Sequence, residues 1–412
     1  MKRLLAIGHI WPEPTTTAAG NRMLQLLRAF LDRDYEITFA SVALRTEYSH
    51  DLTTLGIEEV SIKLNHSSFE DLVKKKDPDV VVFDRFMVEE QFGWRIAEAC
   101  PNALRVLNTE DLHSLREYRE LCLKRESTFT ARDWLQRDKT KREVASIFRS
   151  DLTLLVSSFE KSLVQEATGM DESLLWCLPF MLEEISEVHR ATWPSFEERL
   201  DFISYGNGKH APNVDSLTYL KKVIWPMIRR ELPKTRLHIY GAYLPQQVKA
   251  MHRPKDGILV HGWTADLEKK VKQARMVLAP LRFGAGIKGK LALAMQCGTP
   301  SITTDIGKEG MAVGPAWAGF IANDPKDFAK RAVELYREER IWHEAQQKGI
   351  QLINTNYNRK LLAENLFKKV NLLLQNLETH RNKNIIGTLL HHQTMNASKY
   401  MGKWIEEKNK KN

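Results

Sequence analysis

Cysteine is scarce in this sequence: Cys100, Cys122, Cys177 and Cys297 are far apart, with no CxxC pair and no zinc-like Cys/His spacing. That excludes a disulfide framework and a structural metal site, and it makes the reducing cytoplasm the expected compartment. Long apolar runs are missing too. No window approaches the 18 or so uninterrupted apolar residues of a membrane helix, and the mean hydropathy is −0.39. The short run Leu4 to Ile7 is cut by His9, Pro12 and Glu13, so it reads as a buried strand and not as a secretion signal. Neither Gly (21) nor Pro (15) is enriched, which excludes fibrous and low-complexity chains. What the 412 residues do have is 43% apolar and 27% charged composition with a net charge of +9, enough material for two or three packed domains.

Short Val/Ile/Leu runs alternate with helical patterns, the signature of βα units around parallel sheets. The first set of expected strands is Arg3–Gly8, Glu36–Ser41, Val60–Leu64, Asp79–Asp84, Leu104–Asn108 and Leu152–Val156. After a Trp, Pro and Glu rich stretch at 193–199 a second set follows: Asp201–Tyr205, Arg236–Tyr240, Ile258–His261, Met276–Pro280, Ser301–Thr304 and Phe320–Ala322. Two such sets predict an α/β protein with two doubly wound sheets, whose facing strand ends create a cleft between domains. The expected division is 1–185, 195–375 and a tail at 376–412 that carries seven Lys or Arg against three Glu. The segment from Leu112 to Arg149 reads as a solvated helical hairpin, with acceptor binding as the alternative.

The most informative stretch runs from Val277 to Thr304, where a buried strand leads into Gly284-Ala-Gly-Ile-Lys-Gly289, then a helix, then Gly298, Pro300 and another strand. Glycines at such a junction let backbone N–H groups approach an anion, and the helix N-terminus adds partial positive charge. Lys288 and Arg282 add full charges, so a diphosphate is the natural occupant. The same letters also satisfy G-x-G-x-x-G with Asp305 at the end of the next strand, which makes an NAD(P)-dependent oxidoreductase the rival enzyme class. Such a fingerprint usually opens a domain, whereas this one lies deep in the second half.

The block Arg282-Phe-Gly-Ala-Gly-Ile-Lys-Gly-Lys290, with Gly298-Thr-Pro-Ser-Ile-Thr-Thr304 and Gly307-Lys-Glu-Gly310, resembles the donor-binding region of GT-B glycosyltransferases of family GT4. Gly206 to Asp215 resembles the loop opening that family's C-terminal domain, Gly262-Trp263 its loop near the nucleotide base, and Pro12 to Gly20 with Arg22 its first glycine loop. The resemblance covers residues 1 to about 370. It implies two Rossmann-like domains, a nucleotide-diphosphate sugar in the C-terminal one, and a glycan or lipid-linked acceptor on the N-terminal one. It also implies transfer to an acceptor hydroxyl with retention of configuration and no metal cofactor.

Residue by residue, the resemblance implies Lys209 and Lys288 against the diphosphate, and Asp111 and His113 orienting the acceptor hydroxyl or the donor sugar. Arg282, Gly284, Gly286, Ile287, Glu309, Gly310, Gly262 and Trp263 would bind the donor, and Gly20, Arg22 and Asp84 would stand on the acceptor side. The chain departs from the family's EX7E pattern, in which two acids flank the glycine loop and its helix: Ala285 and Leu293 occupy those positions. A non-catalytic nucleotide-sugar-binding relative is therefore the second alternative. No nucleic-acid recognition motif is present, so that partner is not expected. The basic tail with Tyr400 and Trp404 suits either a solubilising appendage or a peripheral seat at the inner face of a membrane.

Overall fold

The computed structural model describes residues 1–311 and 317–392 and positions 400, 401, 404 and 408. Seven parallel strands form the first sheet: β1 (Arg3–Gly8), β2 (Glu36–Ser41), β3 (Glu58–Ser61), β4 (Val80–Asp84), β5 (Leu104–Asn108), β6 (Leu152–Leu155) and β7 (Leu175–Cys177). Six form the second: β8 (Leu200–Tyr205), β9 (Leu237–Tyr240), β10 (Ile258–Gly262), β11 (Ala274–Ala279), β12 (Ser301–Thr303) and β13 (Gly319–Ile321). Their orders, β3-β2-β1-β4-β5-β6-β7 and β10-β9-β8-β11-β12-β13, are two doubly wound sheets. β1, β4, β5 and β11 are buried on both faces, which explains why they read as unbroken apolar runs instead of alternating ones. Twelve of the thirteen strands fall at or within a few residues of the expected positions. β7 has only three residues and no distinct pattern.

The chain crosses between the sheets twice. On the return, Leu182 N–H donates to Tyr357 O at 2.7 Å and Arg359 N–H donates to Leu182 O at 2.9 Å, so the two connections run side by side. The helix Arg359–Gln375 then packs Leu366, Phe367, Val370 and Leu373 into the core of the first sheet. The expected boundary at 375 thus assigned to the second domain a helix whose apolar face belongs to the first.

The expected free tail is also docked as far as His392. Helices Leu377–Lys383 and Ile385–His391 lie against the first domain. Arg381 holds the Asp151 carboxylate with Nε and Nη2, each at 2.7 Å, and donates to Ala103 O at 2.8 Å. Asn384 Nδ2 donates to Phe148 O at 2.7 Å. Burial disfavours the charged form of Asp151, but Arg381 and Arg105 outweigh it and hold the carboxyl below its ordinary value. Among the described residues no helix is long and apolar enough to cross a membrane. The rest of the basic tail expected at 376–412 lies largely outside the described residues.

Replacing Arg381 by Ala removes two charge-assisted bonds from a nearly dry carboxylate, so Arg381→Ala is expected to cost about 2 kcal/mol of unfolding free energy, read by urea denaturation. An unchanged midpoint would show that the docked helices contribute nothing to the domain.

Candidate functional site

The facing strand ends enclose a cleft of about 590 Å³. Its second-domain wall is the glycine loop after β11. Gly286 has φ +63°, and a Cβ there would come within 2.9 Å of Asp111 Cβ, so only glycine allows this approach to the first domain. Its N–H donates to Glu160 Oε1 at 2.9 Å, an oxygen that also accepts Leu112 N–H at 2.9 Å. Helix Gly289–Gln296 starts directly after the loop and lines the cleft with Gly289, Lys290, Ala292, Leu293 and Gln296.

Lys288 Nζ turns back onto the loop, donating to Gly286 O at 2.6 Å and Ala285 O at 3.3 Å. Burial lowers its pKa to about 8. Lys290, which the sequence reading did not single out as a site residue, is equally enclosed and is also lowered to about 8 by burial. Among the described residues its ammonium has no hydrogen-bond partner, while its backbone carbonyl accepts the Tyr205 hydroxyl at 2.6 Å. Lys209 lines the cleft as expected, with Nζ 3.6 Å from the centre of the Tyr243 ring. Tyr243 Oη in turn donates to the Glu13 carboxylate at 3.2 Å, which ties the second-domain loop to the first domain.

The first-domain wall carries Asp111 and His113 beyond β5. Glu143, from the helix Asp138–Arg149, accepts His113 N–H at 2.9 Å and Ser114 N–H at 3.0 Å, fixing the loop. Asp111 pairs with Arg116, and its Oδ1 lies 3.3 Å from His113 Nε2. Burial works against the Asp111 charge, but Arg116, His113 and His210 outweigh it and hold the carboxyl well below the ordinary carboxylate range. His113 is driven to about 3, chiefly by burial, with Arg116 and Arg85 overcoming Asp111. It is a neutral imidazole at physiological pH, standing edge-on to Phe86.

Several expected residues lie elsewhere. Arg282 is outside the cleft lining and bonds Asp215, with its Nε 2.9 Å from Oδ2. Arg22 is 1% exposed and is spent on Asn108 and on Leu178 O at 2.7 Å, so it is a brace beneath the cleft and not a ligand contact. Gly20 packs on the Glu13 backbone and its N–H caps the helix on Thr17. Asp84 is buried and accepts the His9 N–H at 3.3 Å, while its neighbour Arg85 reaches the cleft. Gly262 and Trp263 are outside the lining, although Trp263 meets Tyr48 with ring centroids 5.2 Å apart. Gly284 and Ile287 line the cleft.

Glu309 is taken by Arg119, whose Nη1 and Nη2 reach its carboxylate at 2.6 and 2.8 Å. Arg119 also donates to Gly284 O at 2.9 Å and lies over the Phe129 and Phe159 rings. Gly310 packs against Ser157. The helical insert at 112–149 is thus not a solvated hairpin: it supplies Arg119 to the domain junction, and Arg116 and Glu143 to the loop that carries Asp111 and His113. No local pattern could reveal Arg119, because its partner Glu309 is 190 residues away.

Residues 200–338 match the family described as glycosyl transferases group 1. Solved structures of the same shape include Staphylococcus aureus TarM, in complex with fondaparinux, α-GlcNAc-glycerol and UDP (TM-score 0.70, 10% identity, 90% of this chain and 100% of that one). Anabaena HepE with UDP and glucose follows at TM-score 0.67 and 11% identity, with 90% and 100% coverage. WaaG, a glycosyltransferase involved in lipopolysaccharide biosynthesis, gives 0.61 and 13%, with 88% and 98% coverage. A Klebsiella pneumoniae protein described as an uncharacterized 44.6 kDa protein in the cps region is 24% identical over 223 residues. That alignment spans 52% of this chain and 56% of the relative, so the chain matches about half the relative's length.

Fold and cleft together define a GT-B protein, two doubly wound domains facing across a shared site. Residues 200–338 of its C-terminal domain match the model of the glycosyl transferases of group 1, and the matched segment includes the glycine run that also fitted a dinucleotide unit.

Three buried acids at this junction predict a pH response. Burial pushes Glu110 and Glu143 up to about 7 and Glu160 up to about 8. The folded chain then retains protons that the unfolded chain has already released, so stability falls as pH rises from about 6.5 to 7.5, above which Lys288 and Lys290, lowered to about 8, act in the opposite sense. His113 and His210, held at about 3 and 4, act in the opposite sense only below their ordinary value of 6.5. Thermal melts across this window are expected to show the fall, and Glu160→Gln is expected to flatten it. A wild-type profile flat from about pH 6.5 to 7.5 would contradict the assignment.

Proposed function

We propose that the protein is a GT4 glycosyltransferase that moves a sugar from a nucleoside-diphosphate donor to an acceptor hydroxyl, with retention of configuration. The observation that carries this reading is the pair of enclosed ammoniums, Lys288 and Lys290, at the start of helix Gly289–Gln296 beside the Gly284 and Gly286 backbone. Charge grows on the leaving diphosphate as the glycosidic bond breaks, and fixed cations in a poorly hydrated site stabilise that change most in the transition state. With Lys209 at the same wall, the chain's own cations suffice for the phosphates, which supports turnover without a divalent metal. Asp111, fixed by Arg116, and neutral His113 face this wall and are placed to orient the acceptor or the reacting sugar. The exposed Ile385, Ile386, Leu389, Tyr400 and Trp404 support a peripheral membrane seat for a lipid-linked acceptor.

Leu293 lies in the lining where many relatives place a carboxylate, and the Gln296 amide stands one turn further along the same helix. The ribose hydroxyls would then be met by a neutral amide. This reading differs from a non-catalytic binder in that the leaving-group cations are retained.

A thermal-shift panel of UDP, GDP, ADP, NAD and NADP tests the reading. One nucleoside diphosphate is expected to raise the melting temperature without added metal, and transfer or hydrolysis of the matching nucleotide sugar separates enzyme from binder. Stabilisation by NAD or NADP alone would overturn it. Lys288→Ala and Lys290→Ala are each expected to weaken that nucleotide by about tenfold or more, since each removes a charge-assisted contact. Because both lysines titrate at about 8, wild-type affinity is expected to fall above that pH, by about tenfold per pH unit for each lysine that must be charged. Calorimetric titrations from pH 7 to 9.5 read this slope.

A further inference from the structure

Arg85 stands at the end of β4, on the wall opposite the glycine loop, and lines the cleft. Its backbone has φ 77° and ψ 156°, a region essentially reserved for glycine. Holding an arginine there costs free energy; its backbone is bonded, the N–H to Asn108 O at 2.7 Å and the carbonyl to Val88 N–H at 3.1 Å, as a glycine's would be, but no hydrogen bond of its side chain offsets the strain. The side chain is only 17% exposed, yet among the described residues its guanidinium makes no hydrogen bond and its buried Nε has no partner. The Asp84 carboxylate comes no closer than 3.9 Å, and its Oδ1 is likewise unpartnered.

The other acids nearby are already engaged. Asp111 pairs with Arg116, and Glu110 accepts from Asn108 Nδ2 at 2.7 Å while burial pushes it toward its uncharged form. His9 and His113 also line this wall and are kept neutral, with Arg85 contributing to the lowering of both. A guanidinium has five N–H donors in a fixed fork that matches a carboxylate or a phosphate. A strained backbone and an unbonded, mostly enclosed fork are two separate signs that the partner of Arg85 is a ligand.

We infer that Arg85 is an anion site for the acceptor, so that the acceptor saccharide carries a carboxylate or phosphate close to its reacting hydroxyl. The inference rests on the donor occupying the second-domain wall. It deepens that reading by naming the acceptor's chemical class. The site selects by charge: a neutral sugar leaves the guanidinium dehydrated and unpaired, whereas an anionic sugar supplies the missing acceptor oxygens.

The test is calorimetry with D-glucuronate, glucose 6-phosphate and D-glucose, on protein saturated with the nucleoside diphosphate found in the panel and again on free protein. At least one anionic sugar is expected to bind about tenfold tighter than glucose, and which one wins tells carboxylate from phosphate. Arg85→Gly and Arg85→Gln are expected to abolish that preference while nucleotide affinity stays within about twofold. Glycine also relieves the backbone strain, so the Arg85→Gly protein should melt at the same or a higher temperature. A residue kept for the fold would show the reverse. Equal or absent binding of all three sugars overturns the inference, as does an equal loss of nucleotide affinity in the variants, which would place Arg85 in the donor site. Failure of every nucleotide to bind overturns the donor reading alone, and the titrations on free protein still decide for or against the anion site.

Discussion

The junction made by Arg119 and Glu160 is the constraint on which the site depends. Arg119 reaches from the first domain to bond Glu309 and the Gly284 carbonyl, and Glu160 accepts the Gly286 N–H. The glycine loop is therefore shaped by the opposite domain as much as by its own strand. Since those glycines have few conformational limits of their own, outside contacts are what choose one loop geometry from many. Separation of the domains would release these contacts, so the two walls of the cleft are complete only together. Arg119 comes from the helical insert, which also supplies Arg116 and Glu143 to the Asp111–His113 loop, and this gives the insert a role beyond covering the sheet.

The cleft is built at an electrostatic loss. Lys288 and Lys290 are half-buried in the cleft, Lys290 without a hydrogen-bond partner among the described residues, and burial draws both toward neutrality. Glu110, Glu143 and Glu160 are drawn the opposite way. Dehydrated charges with few partners destabilise a fold by several kcal/mol each unless something compensates, and conserving a fold alone would favour apolar residues at these places. Their concentration around one cavity, with ordinary apolar cores beneath both sheets, is the pattern of a site prepared for a charged ligand.

The sheets were legible because a buried parallel strand is apolar on both faces, which leaves short runs such as Val80–Phe83 and Met276–Ala279 in plain view. The glycine loop was legible because its φ values demand glycine. Arg282 and Arg22 show the limit of that reasoning. Both are basic residues in resembling motifs, yet Asp215 neutralises one and Asn108 with Leu178 buries the other, through contacts that no local spacing encodes. Lys290 was missed for the converse reason: on a helix, its exposure to the cleft follows from the packing of Leu291 and Ala294 on the other side. Arg85 left no trace at all in the sequence, since its backbone angles exist only in three dimensions.

Ala285 and Leu293 bear on how such a site can do without the family's two acids. Each acid placed beside a diphosphate works against the cations holding it, and is tolerable only when it bonds hydroxyls that water would otherwise satisfy. With both positions apolar, the wall from Lys288 to Leu293 carries two lysines and no acid of its own, an arrangement that suits an anion better than a set of hydroxyls. The carboxylates that act on Lys288 come from both domains: Glu309, held by Arg119, lies in its own, and Glu160, which touches the loop, lies across the cleft. Only the second depends on the junction, so the neutralisation of Lys288 is shared between a carboxylate of its own domain and one that the opposite domain brings to the glycine loop.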